Sequence, residues 1–383
     1  DTCPMDGLES QGCSSYSILP PAPNWQQIRQ TLIETVFGKY GMPTRATPDD
    51  MTTFLANHTF LPCTCFLTGK CKRADCVKMI NITRLVWDMS EPVNSSYTLQ
   101  LSSQVYVTLN TSGYAPGNSR TGGWPEEPHL PRRGDTLVVY HQGHVTTEDC
   151  DTYGDFDGTV DWLNQLGYDV ANIDMPFKGC NWMPARDHYW FKEFADKGLH
   201  FMRFFLEPVM LTINWALAQG YKNVVMTGLS GGGWTTTLAG ALDTRLSLTV
   251  PIAGSMPCDF RHTSWDYEQF CNHDWAMVAN YTALYVLAAR EQGRASVQLL
   301  HEADDCCFHA CGRHPRIRDY NKYVQAQSHG LFKTVVTEGN IHEVNPRDRV
   351  VLASLLQAYR RGALHPQDLQ SDFNILWEGI DTE

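Results

Sequence analysis

From residue 136 onwards, apolar runs alternate with helical patterns, and this alternation constrains the fold more than any other feature. The apolar runs predict strands at residues 136–140, 168–173, 223–226, 246–253, 296–300 and 332–336. Helical patterns are found at residues 160–166, 201–219, 231–242, 276–291, 319–327 and 347–360. Strands separated by helices pair in parallel, and the helices cover both faces of the sheet. We therefore predict an α/β fold with a mainly parallel central sheet.

Further elements are predicted upstream of this region. Residues 80–87 and 97–109 alternate polar and apolar side chains, as half-buried antiparallel strands do. The spacing of Ile28, Leu32 and Val36 predicts a helix over residues 25–38. A second helix is predicted over residues 49–57, because Pro48 is a favourable helix start.

A Gly-x-Ser-x-Gly motif, formed by Gly228, Ser230 and Gly232, joins the strand at 223–226 to the helix at 231–242. A serine hydroxyl is a weak nucleophile, and a sharp turn between small residues exposes it to a base. The N–H of Gly231 at the helix N-terminus can donate to an oxyanion. Two alternatives are a turn that only packs a crossover and a phosphate-binding loop. The latter needs a lysine near the position that Trp234 occupies.

In this strand–turn–helix context, residues 77–362 resemble the α/β-hydrolase family, whose nucleophile, acid and histidine follow in that chain order. Ser230 matches the nucleophile. The segment His301-Glu-Ala-Asp-Asp-Cys-Cys-Phe308 resembles the loop that carries the acid, and the segment Glu338-Gly-Asn-Ile-His342 resembles the loop that carries the histidine. The resemblance implies a serine–histidine–aspartate triad.

By this resemblance, His342 is the general base towards Ser230 and then the general acid towards the leaving group. Asp304 is the preferred acid because it shortly precedes a pair of small residues, here two cysteines. Asp305 is a close second, and Asp259 is a third option because some family members place the acid after the preceding strand. We interpret four other histidines as surface or core residues: His301, His309, His314 and His329.

The segment His141-Gln-Gly-His144, after the strand at 136–140, resembles the family's His-Gly element. We expect the backbone N–H of His144 or Gly143 to be the second oxyanion donor beside Gly231. The two histidines also have the spacing of a metal pair. That spacing suits a helix better than a loop, and no carboxylate cluster accompanies it in the sequence. We therefore expect no metal and no cofactor.

The chain contains 13 cysteines, which indicate either disulfides or metal sites. Sequons for N-glycosylation favour the oxidising secretory pathway, and they occur at Asn57, Asn81, Asn94, Asn110 and Asn280. The start at Asp1, without Met, is what we expect of a mature protein after removal of a signal peptide, although a trimmed chain would begin in the same way. A net charge of -12 argues against nucleic-acid binding, and residues 201–218 carry charges that disfavour a membrane anchor. We predict a secreted glycoprotein.

Six cysteines fall within the first 76 residues, where their spacing favours disulfides over a zinc knuckle. Among the remaining seven, a pairing such as Cys258 with Cys271 would cross-link the segment after the strand at 246–253. We expect that Cys306 and Cys307 do not easily bond each other and that each could bond elsewhere, but the sequence does not determine the connectivity. The odd total leaves at least one thiol free or intermolecular. These features divide the chain into a Cys-rich extension (1–76), an α/β-hydrolase catalytic domain (77–365) and a tail (366–383).

Two aromatic-rich insertions, 174–200 and 256–275, follow predicted strands at the edge of the sheet where ligands bind in α/β folds. They predict a substrate pocket, although packing of a lid explains the aromatic residues equally well. The resemblance implies a cofactor-independent serine esterase acting on a small-molecule or polymer-borne ester. The alternatives are a serine peptidase of the same fold and an inactive binding module. The sequence carries no signal for an oligomeric state.

Overall fold

The computed structural model describes residues 23–59, 77–92, 96, 98–109, 134–145, 150, 153–183, 186–260 and 266–362. The strands are β1 (Asp50–Thr59), β2 (Val77–Pro92), β3 (Thr98–Thr108), β4 (Thr136–His141), β5 (Asp169–Ile173), β6 (Asn223–Leu229), β7 (Leu246–Ile252), β8 (Ala295–His301) and β9 (Leu331–Thr337). The helices are α1 (Trp25–Phe37), α2 (Thr159–Gln165), α3 (Trp190–Ala195), α4 (Arg203–Ala218), α5 (Gly231–Leu242), α6 (Asp274–Val278), α7 (Tyr281–Ala288), α8 (His314–Gln327) and α9 (Pro346–Arg360).

The strands form one sheet in the order β1-β2-β3-β5-β4-β6-β7-β8-β9. The first three strands are antiparallel, and β3 also runs antiparallel to β5. From β5 to β9 every neighbouring pair is parallel. This topology confirms the predicted α/β fold with a mainly parallel sheet.

The centre of the sheet is fully buried. Every residue of β4, β5 and β8 is buried, and so is every residue of α5, which follows β6 directly. Strands buried on both faces read as continuous apolar runs, which explains why the sequence predicted them well.

The chain order of the strands reverses beside β4. From β4 the chain passes to β5 on one side and then to β6 on the other side. At such a switch point the loops after neighbouring parallel strands separate and leave a crevice at their carboxyl ends. The loop after β4 and the Ser230 turn after β6 therefore flank the same crevice.

The predicted helix over residues 49–57 is wrong, because these residues form β1. This strand pairs with β2 from Asp50 opposite Val86 to Thr59 opposite Val77. Phe54 and Leu55 are 38% and 58% exposed, so these apolar side chains do not form the buried stripe that a packed helix needs. Pairing with β2 decides the conformation instead.

The helix predicted over residues 276–291 is broken into α6 and α7. Asn280 caps α7, and its side-chain Oδ1 accepts a hydrogen bond of 2.9 Å from the N–H of Ala283. An N-cap asparagine has a non-helical backbone, so it ends one helix and starts the next. The helix predicted over residues 25–38 is confirmed as α1.

The segment predicted as an N-terminal extension contributes α1 and β1 to the described residues. Arg29 of α1 donates to Glu291 at 2.6 Å and to the carbonyl of Ala241 at 2.8 Å. The six N-terminal cysteines lie outside the described residues, and the domain boundaries after residues 76 and 365 stay predictions. None of the helices in the described ranges has the length and apolar character needed to cross a bilayer.

Candidate active site

Ser230 lies at the turn between β6 and α5 with φ 56° and ψ −123°. Its N–H donates to the carbonyl of Ile252, and its own carbonyl accepts from Trp234, both at 2.9 Å. A Cβ on Gly228 would lie 2.6 Å from the carbonyl oxygen of Gly232, and a Cβ on Gly232 would collide with the carbonyl of His141. The two glycines thus let strand and helix pass closely, and Ser230 occupies the strained position between them.

The loops after β8 and β9 bring Asp304 and His342 together. The Nδ1 of His342 lies 2.8 Å from Oδ2 of Asp304. The Asp304 side chain is fully buried, whereas 18% of the His342 side chain is exposed. On the other side of the ring, Nε2 of His342 is buried and has no hydrogen-bond partner among the described residues. An imidazole held at Nδ1 with a free Nε2 has the arrangement of a general base.

Backbone donors hold the second oxygen of Asp304. Its Oδ1 accepts hydrogen bonds from the N–H groups of Cys306 and Cys307, both at 2.9 Å, and from Phe308 at 3.3 Å. Burial raises the pKa of the Asp304 carboxyl, but the neighbouring rings of His301 and His342 outweigh burial and place the pKa below its ordinary range. The carboxyl therefore stays ionised beside His342.

The structure separates two of the three candidate acids. Oδ2 of Asp304 lies 2.8 Å from Nδ1 of the His342 ring, whereas Oδ1 of Asp305 accepts a hydrogen bond of 2.9 Å from the backbone N–H of His342. Asp305 therefore holds the backbone of the histidine loop. The side chain of Asp259 lies outside the described part of the chain.

Cys306 and Cys307 form a disulfide with each other. The expectation that they would bond elsewhere is wrong, because the turn at Asp304 brings the two adjacent sulfurs together. The pair lies in the backbone segment that donates to Asp304. The predicted pair Cys258–Cys271 is confirmed, and a further disulfide joins Cys150 to Cys180.

Gly143 and His144, the candidate oxyanion donors, lie beside Ser230 and Gly231. A Cβ on Gly143 would lie 2.8 Å from Cβ of Ser230, and a Cβ on Gly231 would lie 2.6 Å from Cε1 of His144. The backbones of the two loops thus approach each other at the nucleophile turn. The rings of His141 and His144 have different partners. The ring of His141 is buried, and its Nδ1 lies 2.8 Å from the carbonyl oxygen of Gln142.

No protein-family model and no curated protein matches this sequence. Solved structures do match it. A methylesterase superposes with a TM-score of 0.50 at 15% identity, over 90% of this chain and 64% of that protein. An acetyl xylan esterase from Paenibacillus sp. R4 gives a TM-score of 0.48 at 12% identity, covering 88% and 93% of the two chains. A family 15 glucuronoyl esterase from Caldicellulosiruptor kristjansonii gives 0.46 at 14% identity, covering 88% and 85%.

The chain has the α/β-hydrolase fold. At these sequence identities, the similarity shows the fold and does not assign a role to any individual residue.

Within the α/β-hydrolase fold, His301 is the residue that sequence reasoning missed. It is fully buried at the end of β8, with Nε2 2.8 Å from Asp348 and Nδ1 3.4 Å from Oδ2 of Asp304. Burial lowers the pKa of His301, but the neighbouring carboxylates of Asp304 and Asp348 raise it to about 9. The carboxylate of Asp304 therefore lies between two imidazoles. In the sequence, the only signal for His301 was its position three residues before Asp304.

The two insertions of the α/β-hydrolase fold contact each other through aromatic side chains. The ring of Tyr189 lies 6.1 Å from that of Tyr267 and 6.4 Å from that of Phe270. Phe177 and Phe191 are buried, whereas Trp182 and Tyr189 are 39% and 49% exposed. The insertions therefore combine a packed interior with exposed rings.

Three sequons fall partly or wholly outside the described residues, namely Asn94, Asn110 and the side chain of Asn57. Asn81 lies on β2, and Asn280 is the N-cap of α7. Both are partly exposed. Glycosylation of these residues stays a prediction.

Proposed function

We propose that this protein is a serine hydrolase that cleaves carboxylic esters through an acyl-serine intermediate. Ser230 is the nucleophile, His342 the general base and acid, and Asp304 the acid of the triad. The observation that carries the proposal is the 2.8 Å contact between His342 Nδ1 and Asp304 Oδ2, on a ring whose Nε2 is left without a partner. That pair lies in loops of the same sheet that presents Ser230 on a strained turn.

In this mechanism, Ser230 Oγ attacks the ester carbonyl carbon while its proton passes to Nε2 of His342. The carbonyl oxygen gains negative charge, which the N–H groups of Gly231 and of Gly143 or His144 stabilise. The C–O bond then breaks, and the leaving alkoxide takes the proton from Nε2. Water attacks the acyl-serine in the same way and releases the acid. Asp304 remains ionised throughout, which is consistent with its lowered pKa.

The choice of esters rests on the fold and on the insertions. The superposed methylesterase is named for action on an ester. Exposed rings of Trp182 and Tyr189 belong to the insertion after β5, at the carboxyl edge of the sheet. Such rings suit the acyl group or sugar of a small-molecule or polymer-borne ester.

A fluorophosphonate probe tests the nucleophile directly. We expect stoichiometric labelling of the wild-type protein, loss of labelling in Ser230→Ala, and retention in Ser354→Ala, a matched exposed serine on α9. Turnover of short-chain and long-chain aryl esters should follow the same pattern. Absence of Ser230-dependent labelling and turnover would contradict the proposal. It would favour the alternative that the protein is an inactive binding module.

Peptide amides tested in parallel distinguish an esterase from a peptidase. Amides require protonation of a poorer leaving group, so an esterase site should hydrolyse aryl esters much faster than the matched amides. Turnover of the amides at a comparable rate would indicate a serine peptidase with the same triad instead of an esterase.

We also propose that the protein is secreted and N-glycosylated. The disulfides Cys150–Cys180 and Cys258–Cys271 support an oxidising compartment. Expression in a secreting eukaryotic cell, followed by glycosidase treatment, should lower the mass of the wild-type protein. Asn280→Gln should remove one glycan, and no change in mass on glycosidase treatment would contradict glycosylation.

A further inference from the structure

Four polar side chains from three loops converge beside the candidate oxyanion donors. His144 follows β4, His188 lies between β5 and α3, and Asp266 and Glu268 follow β7. The Nε2 of His144 lies 2.9 Å from Oε1 of Glu268, 3.0 Å from Nδ1 of His188 and 3.3 Å from Oδ1 of Asp266. The Nδ1 of His188 lies 2.9 Å from Oε2 of Glu268.

Hydrogen bonds alone do not satisfy this arrangement with neutral rings. The Nε2 of His188 lies 2.9 Å from the carbonyl oxygen of Pro176, which only accepts, so Nε2 carries the proton. A neutral His188 then presents the lone pair of Nδ1 to a carboxylate and to a second imidazole. The Nε2 of His144 has at most one N–H for its three neighbours. A cation between His144, His188 and Glu268 would be bound by all three side chains at once, because their ligand atoms lie within 4.8 Å of one another.

The distances and the surroundings match a metal centre. Zinc bonds of about 2.0–2.1 Å in a tetrahedral site place neighbouring ligand atoms about 3.3 Å apart. The contacts of 2.9–3.0 Å among His144, His188 and Glu268 lie close to that separation. A histidine ligand usually donates its other ring N–H to a carbonyl or carboxylate, as His188 does to Pro176. Glu268 is fully buried, and a buried carboxylate requires a positive partner.

We propose that His144, His188 and Glu268 bind one divalent transition-metal ion, with zinc as the best match to two imidazoles and one carboxylate. The ion would connect three loops of the candidate active site. It would also fix the ring of His144 against Gly231, where a Cβ would lie only 2.6 Å from Cε1. Its role is therefore to hold the oxyanion side of the site in place.

The inference departs from the sequence-based expectation that no metal is bound. The partners of His144 lie 44 and 124 residues away along the chain, so no local spacing shows them. The competing arrangement is a proton on Nδ1 of His188, which would let the ring donate to both Glu268 and Pro176. The experiment has to separate an ion from that proton.

Metal content of the untagged, secreted full chain is the primary measurement. After dialysis against metal-free buffer, we expect one zinc ion per chain by mass spectrometry, and an anomalous peak between the three side chains at the zinc edge. Glu268→Gln and His188→Gln should weaken zinc binding by more than roughly 10–100-fold, the usual effect of removing only an outer partner. His144→Gln, at a partly exposed side chain, keeps the test usable if the variants at the two buried positions fail to fold.

Two matched variants complete the test. Glu302→Gln alters another histidine–glutamate pair, at 2.9 Å from His314, and should leave zinc binding unchanged. Ser230→Ala should also retain the ion, so the outcome is independent of the proposed esterase activity. A metal-free protein that takes up no added zinc, manganese or cobalt would overturn the proposal in favour of the proton. Equal loss of zinc in Glu302→Gln would mean adventitious surface binding and would also overturn it.

Discussion

Ser230 has a positive φ of 56°, which is costly for a residue with a Cβ. Such strain persists only where the surrounding structure enforces it, and here α5, β6 and β7 all contribute. Ser230 is bonded to Ile252 through its N–H and to Trp234 through its carbonyl, so the position of its Oγ is set by two flanking elements. Asp304 and His342 are positioned in a similar way, because hydrogen bonds join the loops that carry them.

Asp304→Asn should reduce kcat strongly, by roughly 10²–10⁴-fold, because the amide no longer stabilises an imidazolium at His342. Asp305→Asn is the matched control and should cost much less, since Asp305 contacts only the backbone N–H of His342. Steady-state kinetics on an aryl ester measures both. The reverse ranking would make Asp305 the acid.

His301 predicts a pH dependence of stability. Its pKa is about 9 in the fold against an ordinary value of 6.5, so the folded state binds the proton more tightly. The resulting stabilisation, about 3 kcal/mol, is fully present below about pH 6.5 and is lost as the pH rises through about 9. Urea unfolding between about pH 6 and 9.5 should show this loss in the wild type.

The matched variant for that prediction is His301→Gln, which cannot gain a proton. Its unfolding free energy should be lower than that of the wild type at pH 6, and the difference should shrink towards pH 9.5. A difference that stays constant with pH would show that His301 acts through packing alone.

At the scale of elements, the loop after β8 works as one unit. Residues 306–308 direct three N–H groups at one oxygen of Asp304, and the Cys306–Cys307 bond closes that turn covalently. The other oxygen faces His342. The loop therefore holds Oδ1 of Asp304 and leaves Oδ2 to His342.

Replacing both cysteines, as Cys306→Ala/Cys307→Ala, should lower kcat on the order of tenfold, because the donors to Asp304 lose their covalent constraint. KM should change little. The same replacement in an Asp304→Asn background should cause little further loss, since the two changes act through one carboxylate. Additive losses would place the role of the disulfide elsewhere.

The nucleophile turn makes a prediction about packing. Gly232→Ala should destabilise the protein by about 1–3 kcal/mol or more, because its Cβ meets the backbone of His141 and not a movable side chain. Gly134→Ala is the control, since the nearest atom to its Cβ would be 3.8 Å away. Urea unfolding distinguishes them, and equal stability of the two variants would contradict the close approach.

At the scale of the whole molecule, a disulfide attaches the insertion after β5 to the rest of the fold. Cys180 of that insertion is bonded to Cys150 in the loop after β4. The two segments flank the crevice at the switch point of the sheet. Constraint of these long connections suits a protein that folds in an oxidising compartment.

The double variant Cys150→Ala/Cys180→Ala should lower the free energy of unfolding by about 3–4 kcal/mol, the chain-entropy value for a loop of 30 residues. Thermal or urea unfolding of the purified protein measures it. Retention of full stability in the variant, or in protein made in a reducing cytosol, would contradict this role.

The sequence by itself determined the parts of the fold that depend on local pattern. Helix α5 begins and ends at the predicted residues, because Ser230 marks the turn and an apolar pattern follows it. It did not determine β1, whose residues fit a helix start but pair with β2. It also missed the break at Asn280, although asparagine is a favourable N-cap.

For the candidate site, the sequence supplied Ser230, His342 and a choice between neighbouring aspartates. Only the tertiary structure placed Asp304 rather than Asp305 against the imidazole, because one residue of difference turns the carboxylate from the ring to the backbone. The structure alone also brought His188 and Glu268 to His144 from distant loops. Periodicity and motifs record neighbours along the chain, whereas a site made of loops depends on how parallel strands place their carboxyl ends side by side.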